Sequence, residues 1–304
     1  MNTFNEFIYR GWMKYSGGKG IKSKFFKKMR LALIKKNDPI IRCRINDTIL
    51  RMPMSQMTPF YMKVNPNYDR QISKICELIK KNINKNISII DVGANIGDTV
   101  INIGIRDAKY LLIEGNPKFC ELIPDNLQNN YDYILEKCFL GDGDSTYKSY
   151  KVITSRGTAS LSAVELDDID IVKKNITTLD DLLQRYSFVP DILKIDTDGF
   201  DFAVLRGANK TLKNYKPYIF FEWGIKDLIE NNEDPISIWS YLYDLGYKKA
   251  YIYDNFGSLL TTINTNDYEA LKCLSDYVIN AKPKKIWYYD VFLFNENKEN
   301  IILD

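Results

Sequence analysis

The stretch Asp91–Thr99 reads Asp-Val-Gly-Ala-Asn-Ile-Gly-Asp-Thr and joins an apolar run to a helical pattern. The run before it, Ile87–Val92, is rich in β-branched residues and predicts a buried strand. The segment after it, Thr99–Ile105, has helical spacing. Gly93 and Gly97 permit a tight turn and a close approach of the backbone to a ligand. Free amides at the start of the helix can donate hydrogen bonds there. The stretch therefore predicts a strand–turn–helix unit with a ligand site at the turn.

This turn lacks the residues of the common phosphate-binding motifs. Asn95 and Asp98 stand where the dinucleotide fingerprint requires glycine, and no Gly-Lys-Ser/Thr follows, which excludes a P-loop. Glu114 ends the next predicted strand, 21 residues after Gly93, where an acid can accept hydrogen bonds from both ribose hydroxyls. A glycine-rich turn with such an acid and no phosphate grip favours an S-adenosylmethionine site over a turn that merely needs glycines.

Strands and helices alternate along the chain on both sides of this turn. The predicted strands are Ile87–Val92, Tyr110–Glu114, Tyr133–Leu140, Asp191–Asp196, Tyr218–Glu222, Lys248–Asp254 and Ile286–Phe294, with a short strand pair in Cys43–Met52. The predicted helices are Ile21–Lys36, Arg70–Lys81, Thr99–Ile105, Pro117–Asn129, one opened by Thr178, Phe200–Lys213, and one framed by Pro235 and Gly246. This alternation predicts an α/β fold with a mostly parallel sheet covered on both faces.

Composition excludes several classes of protein. The chain has no histidine, so it cannot form a Ser-His-Asp triad, a Cys-His pair or a histidine metal site, and a general base must be Asp, Glu, Lys or Tyr. The five cysteines form no C-x-x-C pair, so neither a zinc ribbon nor a disulfide framework is indicated. No apolar run approaches the length of about 20 residues that a transmembrane helix needs, and no secretory leader is visible. We therefore predict a cytoplasmic protein.

Charge is distributed unevenly between the two ends of the chain. Residues Met1–Arg44 contain twelve lysines and arginines against two acids, whereas the overall net charge is only +3. This asymmetry predicts a basic helical arm in residues 1–40, lead-in strands and a helix in 41–85, and the main domain in 86–304. The segment Lys22–Lys36 has three interpretations: a helix docked on the acidic body, which we favour, attachment to an anionic membrane surface, or nucleic-acid binding.

Several segments resemble, in order, the signatures of the FkbM family of S-adenosylmethionine-dependent methyltransferases. They are DVGANIGDT at 91–99, LIEGNP at 112–117, TLDDLL at 178–183, DILKIDTDGFDFAVLRGA at 191–208, PYIFFEW at 217–223 and DVFLF at 290–294. The resemblance spans roughly residues 40–295. It implies the class I methyltransferase (Rossmann-like) fold, with a seven-stranded, mostly parallel sheet whose last strand is antiparallel. Asp198 departs from the family pattern, which usually has glutamate there.

The cofactor site is predicted at the carboxyl ends of the strands, where sheets of this kind bind ligands. Tyr68 and Asp69 resemble an aromatic–acid pair of the family that would cover the methionine end of the cofactor, although Asp69 also suits a helix cap. The polar segment Ser155–Ser160 is predicted as a loop that lines the cofactor or the acceptor. The predicted cofactor-binding residues are Asp91, Gly93, Ala94, Asn95, Gly97, Asp98, Thr99, Glu114, Asn116, Gly141, Asp142, Asp196 and Tyr68.

The candidate catalytic residues are Asp198, Asp196, Glu222 and Lys194. Three carboxylates at one crevice repel each other unless one is protonated or a cation binds. Asp198, ranked first, would accept the proton of a hydroxyl group. Alternatively, the three acids would hold Mg²⁺, although we do not expect a metal. A third interpretation has no chemistry: Asp196 would cap the next helix, and Glu222 would be an ordinary acid at the edge of the core. Lys194 is expected to neutralise Asp196.

The resemblance implies an O-methyltransferase that uses S-adenosylmethionine to methylate a sugar hydroxyl of a glycan or glycoconjugate precursor. Two alternatives stay open: an RNA methyltransferase that uses the basic arm, and a non-catalytic membrane-associated binding protein that retains the fold. We expect no nucleic-acid partner. Contact of Lys22–Lys36 with a membrane would place the protein at the inner face of the membrane.

Overall fold

The computed structural model describes residues 4–45, 48–143, 150–155, 158–163 and 176–298. The strands are β1 (Ile40–Ile45), β2 (Thr48–Pro53), β3 (Ser88–Val92), β4 (Lys109–Ile113), β5 (Asp132–Glu136), β6 (Phe139–Leu140), β7 (Tyr150–Ser155), β8 (Thr158–Ala163), β9 (Ile176–Thr177), β10 (Ile192–Ile195), β11 (Tyr218–Trp223), β12 (Lys249–Asp254), β13 (Leu259–Asn264) and β14 (Tyr289–Phe294). The helices are α1 (Phe4–Tyr15), α2 (Ile21–Asn37), α3 (Thr58–Val64), α4 (Arg70–Ile83), α5 (Asp98–Ile103), α6 (Pro117–Cys120), α7 (Ile123–Leu127), α8 (Leu179–Leu183), α9 (Asp201–Arg206), α10 (Asn209–Tyr215), α11 (Ile225–Glu230), α12 (Ile238–Asp244) and α13 (Tyr268–Asn280).

Within the residues that the structure describes, the main sheet has eight strands, in the order β13-β12-β14-β11-β10-β3-β4-β5. Strands β11, β10, β3, β4 and β5 run parallel, and β14 lies antiparallel between β11 and β12. The predicted parallel sheet with an antiparallel last strand is confirmed. The count of seven is wrong by one strand, because β13 adds to the edge beside β12. Most residues of β13 are exposed, so it lacks the apolar pattern of a buried strand.

Apolar side chains cover both faces of the sheet, as the alternation of strands and helices predicts. Neighbouring residues of one strand point to opposite faces. Ile89 belongs to a cluster with Ile72 and Ile75 of α4, and Ile90 belongs to the cluster that contains Val204 and Leu205 of α9. All six side chains are buried. The sheet is therefore the middle layer of the domain, and its carboxyl-end edge is left for the loops that carry the candidate site.

Several predicted elements are broken in the structure. Tyr133–Leu140 divides into β5 of the main sheet and β6, which pairs with β9. Pro117–Asn129 divides into α6 and α7, with Pro124 in the first turn of α7. Phe200–Lys213 divides into α9 and α10 beside Gly207, where a β-carbon would lie 2.0 Å from the carbonyl oxygen of Gly141.

The segment Ser155–Ser160 is not a simple loop. Its described residues are the end of β7 and the start of β8, which pair as antiparallel strands, and residues 156–157 lie outside the described part. Among the described helices, α1, α3, α11 and α13 were not predicted. No helix in the described ranges is both long and apolar enough to cross a membrane.

The first two helices pack on the domain as a hairpin. The ring of Phe26 in α2 lies against Gly11 of α1, where a β-carbon would be 2.1 Å from it. Their apolar residues form one cluster with side chains of the main domain, including Ile96 of the glycine-rich turn; the buried members are Ile8, Tyr9, Trp12, Phe26, Ile41, Met52, Met54, Ile96, Phe119 and Leu122. The docked interpretation of the basic helix therefore agrees with the structure.

Candidate active site

A cavity of about 560 Å³ opens at the carboxyl ends of β3, β4, β10 and β11. This is the edge at which parallel α/β sheets bind ligands, and the volume is typical of a small-molecule site. The predicted site residues that line the cavity are Tyr68, Gly93, Asn95, Asp98, Thr99, Glu114, Lys194, Asp196, Asp198 and Glu222. The glycine-rich turn, the acid Glu114 and the candidate catalytic acids therefore meet in one place.

The glycine-rich turn is fixed by its neighbours on the sheet. The amides of Gly93 and Ala94 donate hydrogen bonds to the carbonyl of Ile113, at 2.9 and 3.1 Å. Gly93 has φ +79°, and a β-carbon there would lie 1.8 Å from the carbonyl oxygen of Asp196. Gly97 also has positive φ, but it is buried against Leu127 and does not line the cavity. Gly93 is thus required by close contact between β3 and β10, whereas Gly97 serves the packing of the turn.

Glu114 holds the turn together from the end of β4. Its carboxylate accepts hydrogen bonds from the amides of Asn95 (2.8 Å) and Asn116 (2.7 Å). Burial raises the pKa of Glu114 to about 7, against the lowering effect of these two amides. Asn95 has φ 50°, and its side-chain oxygen is buried without a hydrogen-bond partner among the described residues. An orphaned acceptor in the wall of a cavity is a position where a bound group can donate.

Lys194 is a buried cation beneath the turn. Its Nζ lies 2.9 Å from Asp91 and 3.6 Å from Asp196, and it donates a hydrogen bond to the carbonyl of Gly93 at 3.2 Å. Burial alone would lower the pKa of Lys194. The negative charges of Asp91 and Asp196 raise it by a larger amount, so the net shift is upward. The prediction that Lys194 neutralises Asp196 is incomplete, because Asp91 is the nearer partner. Asp91 is buried and lies outside the cavity lining.

The candidate catalytic acids lie on adjacent strand ends. Asp198 follows β10 with a left-handed φ of 51°, and Glu222 lies near the end of β11. Burial, and then the charges of Asp196 and Asp227, raise the pKa of Asp198 to about 7. Burial and neighbouring acids raise the pKa of Glu222 well above its ordinary value. Asp196 is more open, with 47% of its side chain exposed. A carboxyl group with a pKa near 7 can accept a proton at neutral pH.

The metal interpretation finds no support in the side-chain arrangement. Across the described ranges, no three His, Cys, Asp or Glu side chains are placed to hold one metal ion. Asp196, Asp198 and Glu222 face one cavity, yet they do not form such a group.

The opposite wall of the cavity carries residues that the sequence analysis missed or left open. Asp69 occupies the N-cap position of α4 without a side-chain capping bond, so the cap interpretation does not hold. Burial, and then Asp98 and Asp196, raise the pKa of Asp69 to about 8. The missed lining residues from the carboxyl-terminal part of the chain are Asp227, Asn255, Phe256, Trp287, Tyr288 and Asp290.

Five further predicted cofactor residues lie outside the cavity lining. Asp142 forms a salt bridge with Arg206 (3.3 Å), and Gly141 packs against Gly207. Asn116 caps α6 by accepting a hydrogen bond from the amide of Lys118. Ala94 is buried within the turn. Together with Gly97, described above, these residues shape the walls rather than face the cavity.

Residues 54–58 run from the end of β2 to the first residue of α3 and form another wall of the cavity. The N-terminal hairpin holds them in place. Arg30 of α2 is only 6% exposed, stacks on Trp12 at 3.9 Å, and donates hydrogen bonds to the carbonyls of Met54 (2.9 and 3.2 Å) and Ser55 (3.1 Å). The lining residues Gln56, Met57 and Thr58 follow directly. Thr58 also donates a hydrogen bond to Asp98 at 3.4 Å. Arg30 therefore connects the hairpin to the rim of the cavity.

The fold and this site define a class I S-adenosylmethionine-dependent methyltransferase. The model of the methyltransferase FkbM domain matches residues 91–249, more than half of the chain. The chain belongs to the FkbM methyltransferase family, as the resemblance indicated. Its cofactor is S-adenosylmethionine.

Solved structures show low sequence identity to this chain. The FkbM methyltransferase from Methylobacillus flagellatus KT matches at 13% identity and a TM-score of 0.35, over 69% of this chain and 44% of that one. This chain therefore covers less than half of that protein. The plantazolicin methyltransferase BamL, in complex with a triazolic desmethylPZN analog and SAH, matches at 10% identity and 0.42, over 80% and 91%. TYW2 of M. jannaschii, in complex with AdoMet, matches at 13% and 0.41, over 84% and 86%. No curated protein matches the chain significantly.

Proposed function

We propose that this methyltransferase methylates a hydroxyl oxygen of a sugar, in a glycan or glycoconjugate precursor, with Asp198 as the general base. The observation that carries the proposal is the Asp198 carboxyl group, which lines the cavity with its pKa raised to about 7 by burial and by Asp196 and Asp227. A hydroxyl acceptor must lose a proton, and the chain has no histidine to take it.

The residues of the cavity fit S-adenosylmethionine. Glu114 and the unpartnered side-chain oxygen of Asn95 would accept hydrogen bonds from the ribose hydroxyls and from neighbouring donor groups of the cofactor. Phe119 and Phe139 offer apolar surface for the adenine ring. Carboxylates, including Asp98, would face the positively charged end of the cofactor. The absence of a phosphate grip in the turn agrees with a cofactor that has no phosphate.

Asp198 and Glu222 divide the acid and base tasks in this proposal. When bound, S-adenosylmethionine supplies a methyl group activated by a positively charged sulfur. Asp198 would accept the proton that the acceptor hydroxyl loses when the methyl group passes to its oxygen and the bond from that carbon to sulfur breaks, leaving a neutral thioether. Burial and neighbouring acids raise the pKa of Glu222 well above its ordinary value, which favours the protonated form that can donate a hydrogen bond to the acceptor. The rest of the catalysis is positioning of the two reactants.

The acceptor side of the cavity suits a neutral, hydroxyl-rich ligand. The rings of Tyr61, Phe256 and Trp287 provide faces for an apolar surface of a sugar, and the amides of Asn65 and Asn255 can pair with its hydroxyl groups. The acids that share this lining would repel a phosphate backbone, which argues against the RNA alternative.

The cofactor assignment is tested by calorimetry on the full chain. S-adenosylmethionine should bind, and NAD should not. Glu114→Ala should weaken binding by about 1.5–3 kcal/mol, because it removes a carboxyl acceptor that also holds the amides of Asn95 and Asn116. Unchanged affinity in Glu114→Ala would remove this residue from the site.

The base assignment is tested with a matched pair of variants. Asp198→Asn keeps the shape of the side chain but not its basicity, and should lower kcat by about 10²–10⁴-fold while sparing cofactor affinity. Asp198→Glu restores the acid usual in the family and should retain most of the turnover. Wild-type activity should also fall as the pH drops below about 7, where Asp198 becomes protonated. Near-normal turnover in Asp198→Asn would mean that positioning alone drives the transfer.

The acceptor class is tested by following labelled methyl from S-adenosylmethionine into a panel of free sugars, lipid-linked sugars and RNA. Label in a sugar fraction, at an alkali-stable ether, supports the proposal. Label in RNA alone contradicts it. Cofactor binding without label in any acceptor would support the non-catalytic alternative.

A further inference from the structure

The second helix of the N-terminal hairpin presents an unbalanced positive charge. Helix α2 (Ile21–Asn37) contains seven basic residues and no acid. Arg30 is buried, and the six lysines are exposed. Among the described residues none of these lysines forms a salt bridge; they are Lys22, Lys24, Lys27, Lys28, Lys35 and Lys36. Their charge is therefore available to an external anion.

Large apolar side chains are exposed on the same hairpin. Ile21 is 87% exposed, and Phe7 of α1 and Phe25 of α2 are each more than half exposed. The rings of Phe7 and Phe25 both contact the buried ring of Phe26, with centroids 5.7 and 5.3 Å away. The two exposed rings therefore pack against the same buried residue. Apolar surface in this position costs free energy in water unless a partner covers it.

We propose that this surface, the hairpin face, defined by Phe7, Ile21, Phe25 and the exposed lysines of α2, binds an anionic phospholipid bilayer. Lysines along a helix pair with anionic headgroups, while neighbouring aromatic and aliphatic side chains enter the boundary with the acyl chains. A nucleic acid would satisfy the lysines but leave Ile21 and both phenylalanines in water. The lipid surface accounts for both features. This inference is independent of the acceptor that the cavity takes.

Vesicle flotation with the full chain tests the hairpin face. The protein should float with phosphatidylcholine vesicles that contain phosphatidylserine, but not with phosphatidylcholine alone. Lys24→Glu/Lys28→Glu should weaken binding by at least about thirtyfold, because each lysine near an anionic surface contributes roughly 1 kcal/mol. The control Lys74→Glu/Lys81→Glu makes the same charge change at exposed positions of α4 and should bind like the wild type. Calorimetry with S-adenosylmethionine confirms that the variants are folded.

A second pair of variants separates lipid binding from general attraction to anions. Phe25→Ser should weaken vesicle binding about tenfold, by loss of buried apolar area. Val189→Ser, at an exposed apolar residue elsewhere, should not. Binding of the wild type to RNA but not to vesicles overturns the proposal. So does vesicle binding that responds to the lysine changes of α4 as strongly as to those of α2, or that is indifferent to Phe25→Ser.

Discussion

The cavity and the N-terminal hairpin both concentrate charge of one sign, but they hold it under opposite conditions. The cavity brings together Asp69, Asp98 and Asp198, which are half-buried, and their loss of solvent raises the pKa of each. The hairpin displays the lysines of α2 to solvent. Crowded, desolvated charge costs stability and is typical of a chemical site, whereas solvated charge costs little and is typical of a contact surface. The same count of charges in a sequence can therefore indicate very different roles.

The largest expected effect concerns the floor of the cavity, where the turn after β3 touches the end of β10 at Gly93 and Asp196. Gly93→Ala should destabilise the fold by about 4 kcal/mol or more, because its β-carbon would lie 1.8 Å from a backbone oxygen of Asp196. Gly104→Ala is the matched control. Gly104 also has positive φ (+73°), but the nearest atom to its β-carbon would be 3.8 Å away. It should lose only about 1 kcal/mol, the cost of left-handed backbone for alanine. Urea unfolding measures both.

Equal losses in these two variants would show that backbone conformation, and not the contact between β3 and β10, makes Gly93 necessary. A small loss in Gly93→Ala alone would mean that the end of β10 can move away. Binding of S-adenosylmethionine by the surviving folded fraction then reports whether the cavity floor tolerates that movement.

The cavity floor was predictable because short local patterns encode it. Buried β-branched runs mark β3, β4 and β10, and the residues that follow such strands must meet at one edge of a parallel sheet. These patterns predicted that Gly93, Glu114 and Asp198 lie at one edge of the sheet, and all three line the cavity. Asp290 and Trp287 line the same cavity but come from the far end of the chain, so only the tertiary fold brings them there. Local pattern cannot supply such contacts.

Helix α2 of the hairpin also combines a feature that the local sequence predicts with one that only the tertiary fold reveals. The helical spacing of Ile21, Phe25, Met29, Ala32 and Leu33 predicted α2, but the structure buries Phe26 and Arg30 of this helix and leaves Ile21 and Phe25 exposed. In the sequence, Arg30 was considered only as one of the twelve basic residues of Met1–Arg44. In the structure it is buried against Trp12 and the 54–58 wall. A basic residue at a core-facing position is the sequence signal that could have identified it.

A substitution at Arg30 tests whether the hairpin supports the cavity. Arg30→Met keeps the bulk of the side chain but leaves the carbonyls of Met54 and Ser55 without their donors. We expect a loss of about 2–3 kcal/mol in the free energy of unfolding. Affinity for S-adenosylmethionine should also fall several-fold, because Met57 and Thr58 line the cavity. Lys27→Met, at an exposed position of the same helix, should change either quantity little.

Arg30→Lys sharpens this test, since lysine keeps the charge but loses the planar group that reaches both carbonyls and stacks on Trp12. Both its free energy of unfolding and its affinity for S-adenosylmethionine should lie between those of Arg30→Met and the wild type. A loss of stability in Arg30→Met with cofactor affinity intact would show that the hairpin merely adds to the core and does not shape the wall.

The smallest expected effect is the pH dependence of stability, and it follows from the crowding of the cavity acids. An acid with a higher pKa in the folded than in the unfolded protein adds stability that is fully present below its ordinary pKa and is lost as the pH rises through the folded value. Folded values of about 6 for Asp98, 7 for Asp198 and 8 for Asp69 place this loss between about pH 4 and 8.

The midpoint of urea unfolding of the cofactor-free protein should therefore fall across that range. Asp198→Asn should flatten the decline by about 1–2 kcal/mol, because it removes one ionising group and its repulsion of Asp196. Asp276→Asn, at an exposed acid of α13, should leave the decline unchanged. If both variants flatten the curve equally, overall net charge governs the pH dependence and the buried acids do not.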